Sequence, residues 1–110
     1  VAKEARAQMR HFKPQELANT AWAFAIQAVG ISSPTLLLLL FGAIAAEAEK
    51  QIQRFNPRDL ASTAWAFATA AISSPKLFEA IAKEARAQVR HFNPQDLANT
   101  AWAFATAGIS

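Results

Sequence analysis

The sequence predicts an all-α fold, an α-solenoid of helix-turn-helix repeats of about 37 residues, from three observations. One tryptophan-bearing phrase occurs three times: KPQELANTAWAFAIQAVGIS from Lys13, NPRDLASTAWAFATAAIS from Asn56 and NPQDLANTAWAFATAGIS from Asn93. Phe41–Ser73 aligns on Phe78–Ser110 without a gap, at a spacing of 37 residues. No stretch alternates polar and apolar residues as a half-buried strand does. A fixed period of this size marks stacked helical hairpins, each of which buries its apolar face against its neighbours.

Each repeat divides into a helix A and a helix B. The chain reads as a partial helix B at 1–11, repeats at 14–54 and 57–91, and a partial repeat at 94–110. Helices are expected near 1–11, 14–28, 34–54, 57–70, 75–91 and 94–107, in one right-handed array. The first copy is offset by 43 because six residues are added between Phe24 and Phe41. About two lengthen the loop near Gly30 and four sit in LLLL. Four residues are close to one helical turn, so the buried face stays roughly in register.

Helix A starts at FNPxDL. Asn56 and Asn93 are expected caps, Pro57 and Pro94 suit the first helical position, and Asp59 and Asp96 complete a capping box. Phe55 with Leu60, Phe92 with Leu97 and Phe12 with Leu17 have the spacing of a hydrophobic staple. The first copy departs by placing Lys13 at the cap. Leu60, Ala64, Phe67, Ala68 and Ala71 form an apolar stripe with Trp65 on its flank. Trp65 and Phe67 are expected to fill the gaps between layers, each burying roughly 150–250 Å². At about 25 cal/mol per Å² one ring stabilises a repeat junction by several kcal/mol. A rival reading exposes the tryptophans as platforms on which bases stack.

Opposite the stripe, helix A is expected to expose Asp59, Ser62, Thr63 and Ala66, with their equivalents in the other copies. One polar position there alternates while its neighbours stay fixed: Asn19, Ser62, Asn99. These three are candidates to face one base per repeat, against the plainer reading of ordinary solvated positions.

Helix B starts at SSP, with Ser33 or Ser74 as cap and Pro34 or Pro75 next, and runs to about Arg54 or His91. Leu77, Phe78, Ile81, Ala85, Val89 and Phe92 are expected inward. Lys76, Glu79, Lys83, Glu84, Arg86 and Arg90 are expected outward, with Glu79 and Lys83 spaced for an i,i+4 pair. Arg6, Arg10, Arg54, Arg58, Arg86 and Arg90 gather near the B-to-A junctions. Of these, Arg10, Arg54, Arg58 and Arg90 are the candidate phosphate contacts. Cations at a helix C-terminus also favour the helix dipole, which explains any one of them without a ligand.

Composition narrows the class. The chain is 53% hydrophobic and 17% charged, enough for a continuous core and against disorder. It has no cysteine, which excludes disulfides and thiolate metal sites. Its net charge is +3 and its pI about 9.8, compatible with an anionic partner. The uncharged stretch from Ala28 to Ala46 is broken by Gly30, Ser32, Ser33 and Pro34. Its apolar run from Leu36 to Ala46 falls short of the ~20 residues that span a bilayer, so no membrane partner is expected. A first residue Val and a single methionine, Met9, suggest that the natural start is missing; no targeting segment is visible.

Catalytic motifs are absent, and the chain reads as a binding scaffold, not an enzyme. His11 and His91 share one repeat position, where the middle copy has Arg54, and neither has a second ligand at helical spacing. Glu16, Asp59 and Asp96 are explained by capping. Three glycines, Gly30, Gly42 and Gly108, form no phosphate loop, and no catalytic residue, metal or cofactor is expected.

The phrase NPQDLANTAWAFATAG resembles the octotricopeptide and heptatricopeptide repeats, and the repeat region of FAST-kinase-like, RAP-domain-containing proteins. Their pattern P-x-x-L-A-N-x-x-W-A-x-A-x-x-G is matched by Pro94, Leu97, Ala98, Asn99, Trp102, Ala103, Ala105 and Gly108. The resemblance covers essentially the whole chain, and the 37-residue spacing favours the heptatricopeptide side. It implies RNA binding in organellar RNA processing, stability or translation, in a mitochondrion or chloroplast. Lys13, Ser62 in place of Asn and the six-residue insertion depart from the pattern, and no RAP-type domain is present in this chain. Two functions follow: a single-stranded RNA-binding scaffold, or a protein-interaction α-solenoid that cradles a peptide or partner helix. The apolar faces at both ends are also expected to promote self-association.

Overall fold

Proline opens every α-helix of the structure, a computed structural model that describes residues 11–27 and 34–108. Within those residues the α-helices are Pro14–Ile26 (α1), Pro34–Gln51 (α2), Pro57–Thr69 (α3), Pro75–Ala87 (α4) and Pro94–Thr106 (α5). Short 3-10 turns, Ile52–Arg54 and Val89–His91, follow α2 and α4, and the described residues contain no strand. Helices α1, α3 and α5 are the expected A helices, and α2 and α4 the B helices. The helix expected over 1–11 lies outside the described residues.

The A helices begin as their sequences dictate. Asn56 Oδ1 accepts from the Asp59 N–H at 2.7 Å, and the Asn56 N–H donates to Asp59 Oδ2 at 3.2 Å. Asn93 Oδ1 accepts from the Asp96 N–H at 2.7 Å. A lysine has no acceptor to offer, so α1 keeps half of the box, the Lys13 N–H donating to Glu16 Oε1 at 2.7 Å. Ser74 is not the expected side-chain cap; it contributes its carbonyl, which accepts from the Phe78 N–H at 3.0 Å. Ser33 lies outside the described residues.

Helix α3 ends in a Schellman motif, with Ile72 N–H donating to Phe67 O and Ala71 N–H to Ala68 O. Ala71 therefore turns the chain at φ 58° and does not extend the apolar stripe; the equivalent residue after α5 is Gly108 at φ 77°. The B helices close differently. Helix α4 stops at Ala87, short of the expected 91, and its last turn tightens to 3-10. There Gln88 Nε2 donates to the Phe55 carbonyl at 2.8 Å and to Glu84 Oε1 at 3.1 Å. Gln51 Nε2 repeats this with the Phe12 carbonyl at 2.8 Å and Glu47 Oε2 at 3.0 Å. Each B helix is thus fastened to the carbonyl that precedes the A helix of its own repeat.

The inserted leucines lengthen α2 by one turn at its start, since Leu38 is the equivalent of Pro75. Leu36, Leu38 and Leu39 are exposed on that turn, while Leu37 and Leu40 pack against the core.

The A helices lie side by side in chain order, α3 between α1 and α5, and α2 and α4 pack on them and on each other. Two phenylalanine pairs tie the layers edge to face: Phe41 with Phe67 at 4.9 Å and Phe78 with Phe104 at 5.0 Å. Leu17, Leu60, Ile44, Leu77 and Ile81 are fully buried around them. These residues, and not the tryptophans, are the knobs between layers. Thr63 and Ala66 are fully buried and Asp59 nearly so, contrary to their expected exposure. The reason is that α3 has an A helix on each side. Val89, expected inward, is exposed at the last layer. Glu79 and Lys83 do not come within ion-pairing distance; the ion pair found among the described residues is Lys50 with Glu47 at 4.0 Å.

The radius of gyration is 13.0 Å, close to the ~13 Å of an ordinary compact chain of about 100 residues. At this length the stack is no more elongated than a globular domain. Among the described residues no helix is long and apolar enough to cross a membrane.

Candidate nucleic-acid interface

With an A helix on either side and the B layer behind, α3 is left with one narrow outward strip. Arg58, Ser62, Trp65 and Thr69 recur on it at the spacing of one helical face. Its counterparts are Gln15, Asn19, Trp22 and Ile26 on α1, and Gln95, Asn99, Trp102 and Thr106 on α5.

The tryptophans join the three strips. Trp22 and Trp65 have centroids 6.1 Å apart, Trp65 and Trp102 6.3 Å, and both pairs are tilted by 31°. These lie within aromatic contact range, in tilted geometry. Trp22 and Trp102 remain 46% and 47% exposed, and Trp65 between them is half-buried. The indoles therefore form a continuous ladder across the outer surface, which corrects the expectation that they fill gaps in the core.

Equivalent positions sit side by side, so Asn19, Ser62 and Asn99 form a second row, three residues or about 4.5 Å nearer the helix N-termini. Asn19 is exposed and the other two half-buried. None of the three side chains hydrogen-bonds to a described residue, so their donors and acceptors are open to a ligand. Thr100 differs, because its hydroxyl donates back to the Asp96 carbonyl at 2.8 Å.

Of the candidate phosphate contacts, Arg58 heads the outward strip of α3. Arg54 and Arg90 lie on the 3-10 turns that lead into α3 and α5. All three are exposed, and no carboxylate among the described residues lies within ion-pairing distance of them. Arg10 lies outside the described residues. His11 and His91 are exposed at the same junctions. Among the described residues no group of three His, Cys, Asp or Glu side chains is placed to hold a metal ion.

One ionisable group of the junction is perturbed. Burial raises the Asp59 carboxyl above its ordinary 3.8, against the Asn56 hydrogen bond and the Arg58 charge, which both lower it. Its role is structural, at the start of α3.

Two features escape a reading of the apolar stripe alone. The helical wheel itself carries a signal for the ladder: Trp65 shares its face with Arg58, Ser62 and Thr69, which are polar. The two fastening glutamines, Gln51 and Gln88, occupy one repeat position, which in the sequence of the first copy is also a glutamine, Gln8.

Compared with known proteins, the chain matches the family described as "Protein of unknown function (DUF1601)" over residues 8–20, 38–63 and 74–100, more than half its length. The chain belongs to this family. No curated protein and no solved structure matches it. The third DUF1601 segment holds a B helix, its 3-10 turn and the first half of the next A helix, and the second holds the same from Leu38 of α2 onward. The three segments include Asn19, Ser62, Asn99 and the four arginines, and end two residues before Trp22, Trp65 and Trp102.

Proposed function

We propose that the chain is part of an α-solenoid that binds single-stranded RNA along the outward strips of its A helices, as a scaffold without catalytic activity. The observation that carries this reading is the pair of aligned rows. Each repeat offers one indole and, one turn away, one asparagine or serine with no hydrogen-bond partner among the described residues. Unstacked bases of a single strand meet proteins through aromatic surface and through hydrogen bonds to their edges. Arg58, which heads the outward strip of α3, and Arg54 and Arg90, on the turns that lead into α3 and α5, are unpaired and offer the cations for phosphate contacts. The resemblance to octotricopeptide and heptatricopeptide repeats supports the same ligand and adds the setting, RNA processing, stability or translation in a mitochondrion or chloroplast.

Filter binding against RNA homopolymers at several salt concentrations tests this. Three repeats cover only about three bases by analogy with one-base-per-repeat arrays, so binding is weak and falls steeply with salt. Replacing Arg54, Arg58 and Arg90 by Gln removes three phosphate contacts. The log–log salt slope then flattens by about 2, at roughly 0.7 per phosphate of a single strand, for every homopolymer alike. Salt-independent retention, or none while a peptide partner is recovered, replaces this reading with the protein-interaction solenoid.

A further inference from the structure

The last layer leaves open a groove that the layer before it has filled. An apolar cavity of about 300 Å³ is lined by Ala82, Ala85 and Val89 of the B layer and by Leu97, Ala101 and Phe104 of α5. One repeat earlier the same positions are Ala45, Ala48, Ile52, Leu60, Ala64 and Phe67. All but Ile52 are buried, and Ile52 is half-buried. What covers that earlier surface is known from the structure: α4 packs on α2, on the turn Ile52–Arg54 and on α3. The difference is plain at one pair of equivalent leucines, Leu60 fully buried and Leu97 44% exposed. A polar register accompanies the apolar one. The Phe12 and Phe55 carbonyls each accept from a B-helix glutamine, and the third of the series, Phe92, receives none from a described residue.

We propose that this groove is the seat of a further helix of the α4 type, a B helix that stands to α5 as α4 stands to α3. It lays its apolar face over Leu97 and Ala101 and sets its glutamine on the Phe92 carbonyl. The occupant is specified by the molecule itself, because the preceding copy of the seat is occupied by such a helix in the same register. The inference does not depend on RNA binding, and helix docking and RNA retention are read in separate assays.

The test adds a fluorescent peptide of residues Ser74–Phe92 to the intact protein and follows anisotropy, with hydrogen exchange of α5 as the second readout. A scrambled peptide is the control. The expected result is saturable binding below about 1 mM, with slowed exchange along α5. Gln88→Ala in the peptide weakens it about fivefold, the worth of one hydrogen bond. Ala101→Glu in the protein abolishes it. Ala82→Glu, on the other wall, does the same should Ala101→Glu disturb the fold, which circular dichroism reports. No binding up to about 1 mM, binding matched by the scrambled peptide, or binding that survives both groove variants overturns the proposal.

Discussion

Phe67 and Trp65 stand two residues apart on α3 and do opposite things. Phe67 is fully buried and meets Phe41 edge to face. Phe67→Ala is expected to destabilise the chain by about 3–5 kcal/mol, as a large-to-small core change. Trp65 is half-buried and holds two indole neighbours. Trp65→Ala is expected to lose about 1–3 kcal/mol, from two aromatic contacts. Urea denaturation of both variants checks the order, and a larger loss at Trp65 returns the tryptophans to the core. Ala71 supplies a third residue-scale prediction. It holds φ 58° where the next repeat has Gly108 at φ 77°. A left-handed non-glycine residue costs about 1–2 kcal/mol, so Ala71→Gly should raise stability by about 1 kcal/mol, net of glycine's freedom in the unfolded chain. An unchanged or lower denaturation midpoint goes against it.

At the scale of elements, α3 carries a carboxyl whose capping position conflicts with its burial. Asp59 completes the capping box, yet the neighbouring helices desolvate it and raise its pKa above 3.8. A raised acid pKa means that the folded state holds the proton more tightly than the unfolded state. The stability from this group is fully present below 3.8 and is lost as pH rises through the folded value. Asp59→Asn keeps a side-chain oxygen to accept from the Asn56 N–H and removes the buried charge. It should therefore be more stable than the parent at pH 7, with the advantage shrinking as pH falls through the raised folded value and gone below 3.8. Parallel denaturation series at both pH values read this out. An advantage that grows in acid contradicts it. The B helices show a different element-scale device, the Gln51 and Gln88 bonds, which set where each B helix stops and which carbonyl it meets.

Across the whole molecule, protection follows position in the stack. Helix α3 has A helices on both sides, whereas α5 leaves Leu97 and Ala101 open and α1 leaves Ala23 open. Native-state hydrogen exchange should find α3 slowest and α1 and α5 faster, because opening an end layer breaks one interface instead of two. Equal protection of α5 and α3 in a proven monomer rules this out. The open Val89 and Leu97 also favour self-association, which sedimentation over a concentration series detects as a mass rising with concentration.

Local chemistry was legible residue by residue. Proline and asparagine mark the A-helix starts, the leucine insertion adds one turn, and the 37-residue spacing predicts which layers are alike. These follow from bonds within a few residues or from comparing copies. The shared position of Asn19, Ser62 and Asn99 is visible in the same way, since a position that changes while its neighbours stay constant stands out in a repeat. Exposure was not legible where it depends on neighbours far along the chain. Thr63 and Ala66 look like surface until α1 and α5 close over α3, and the tryptophans look like core knobs until the three helices align. A helix has one outward face when it packs on one side and a narrower one when packed on three. The periodicity of one helix cannot report how many neighbours it has, so it was the tertiary structure that decided between core knobs and an outer ladder of indoles.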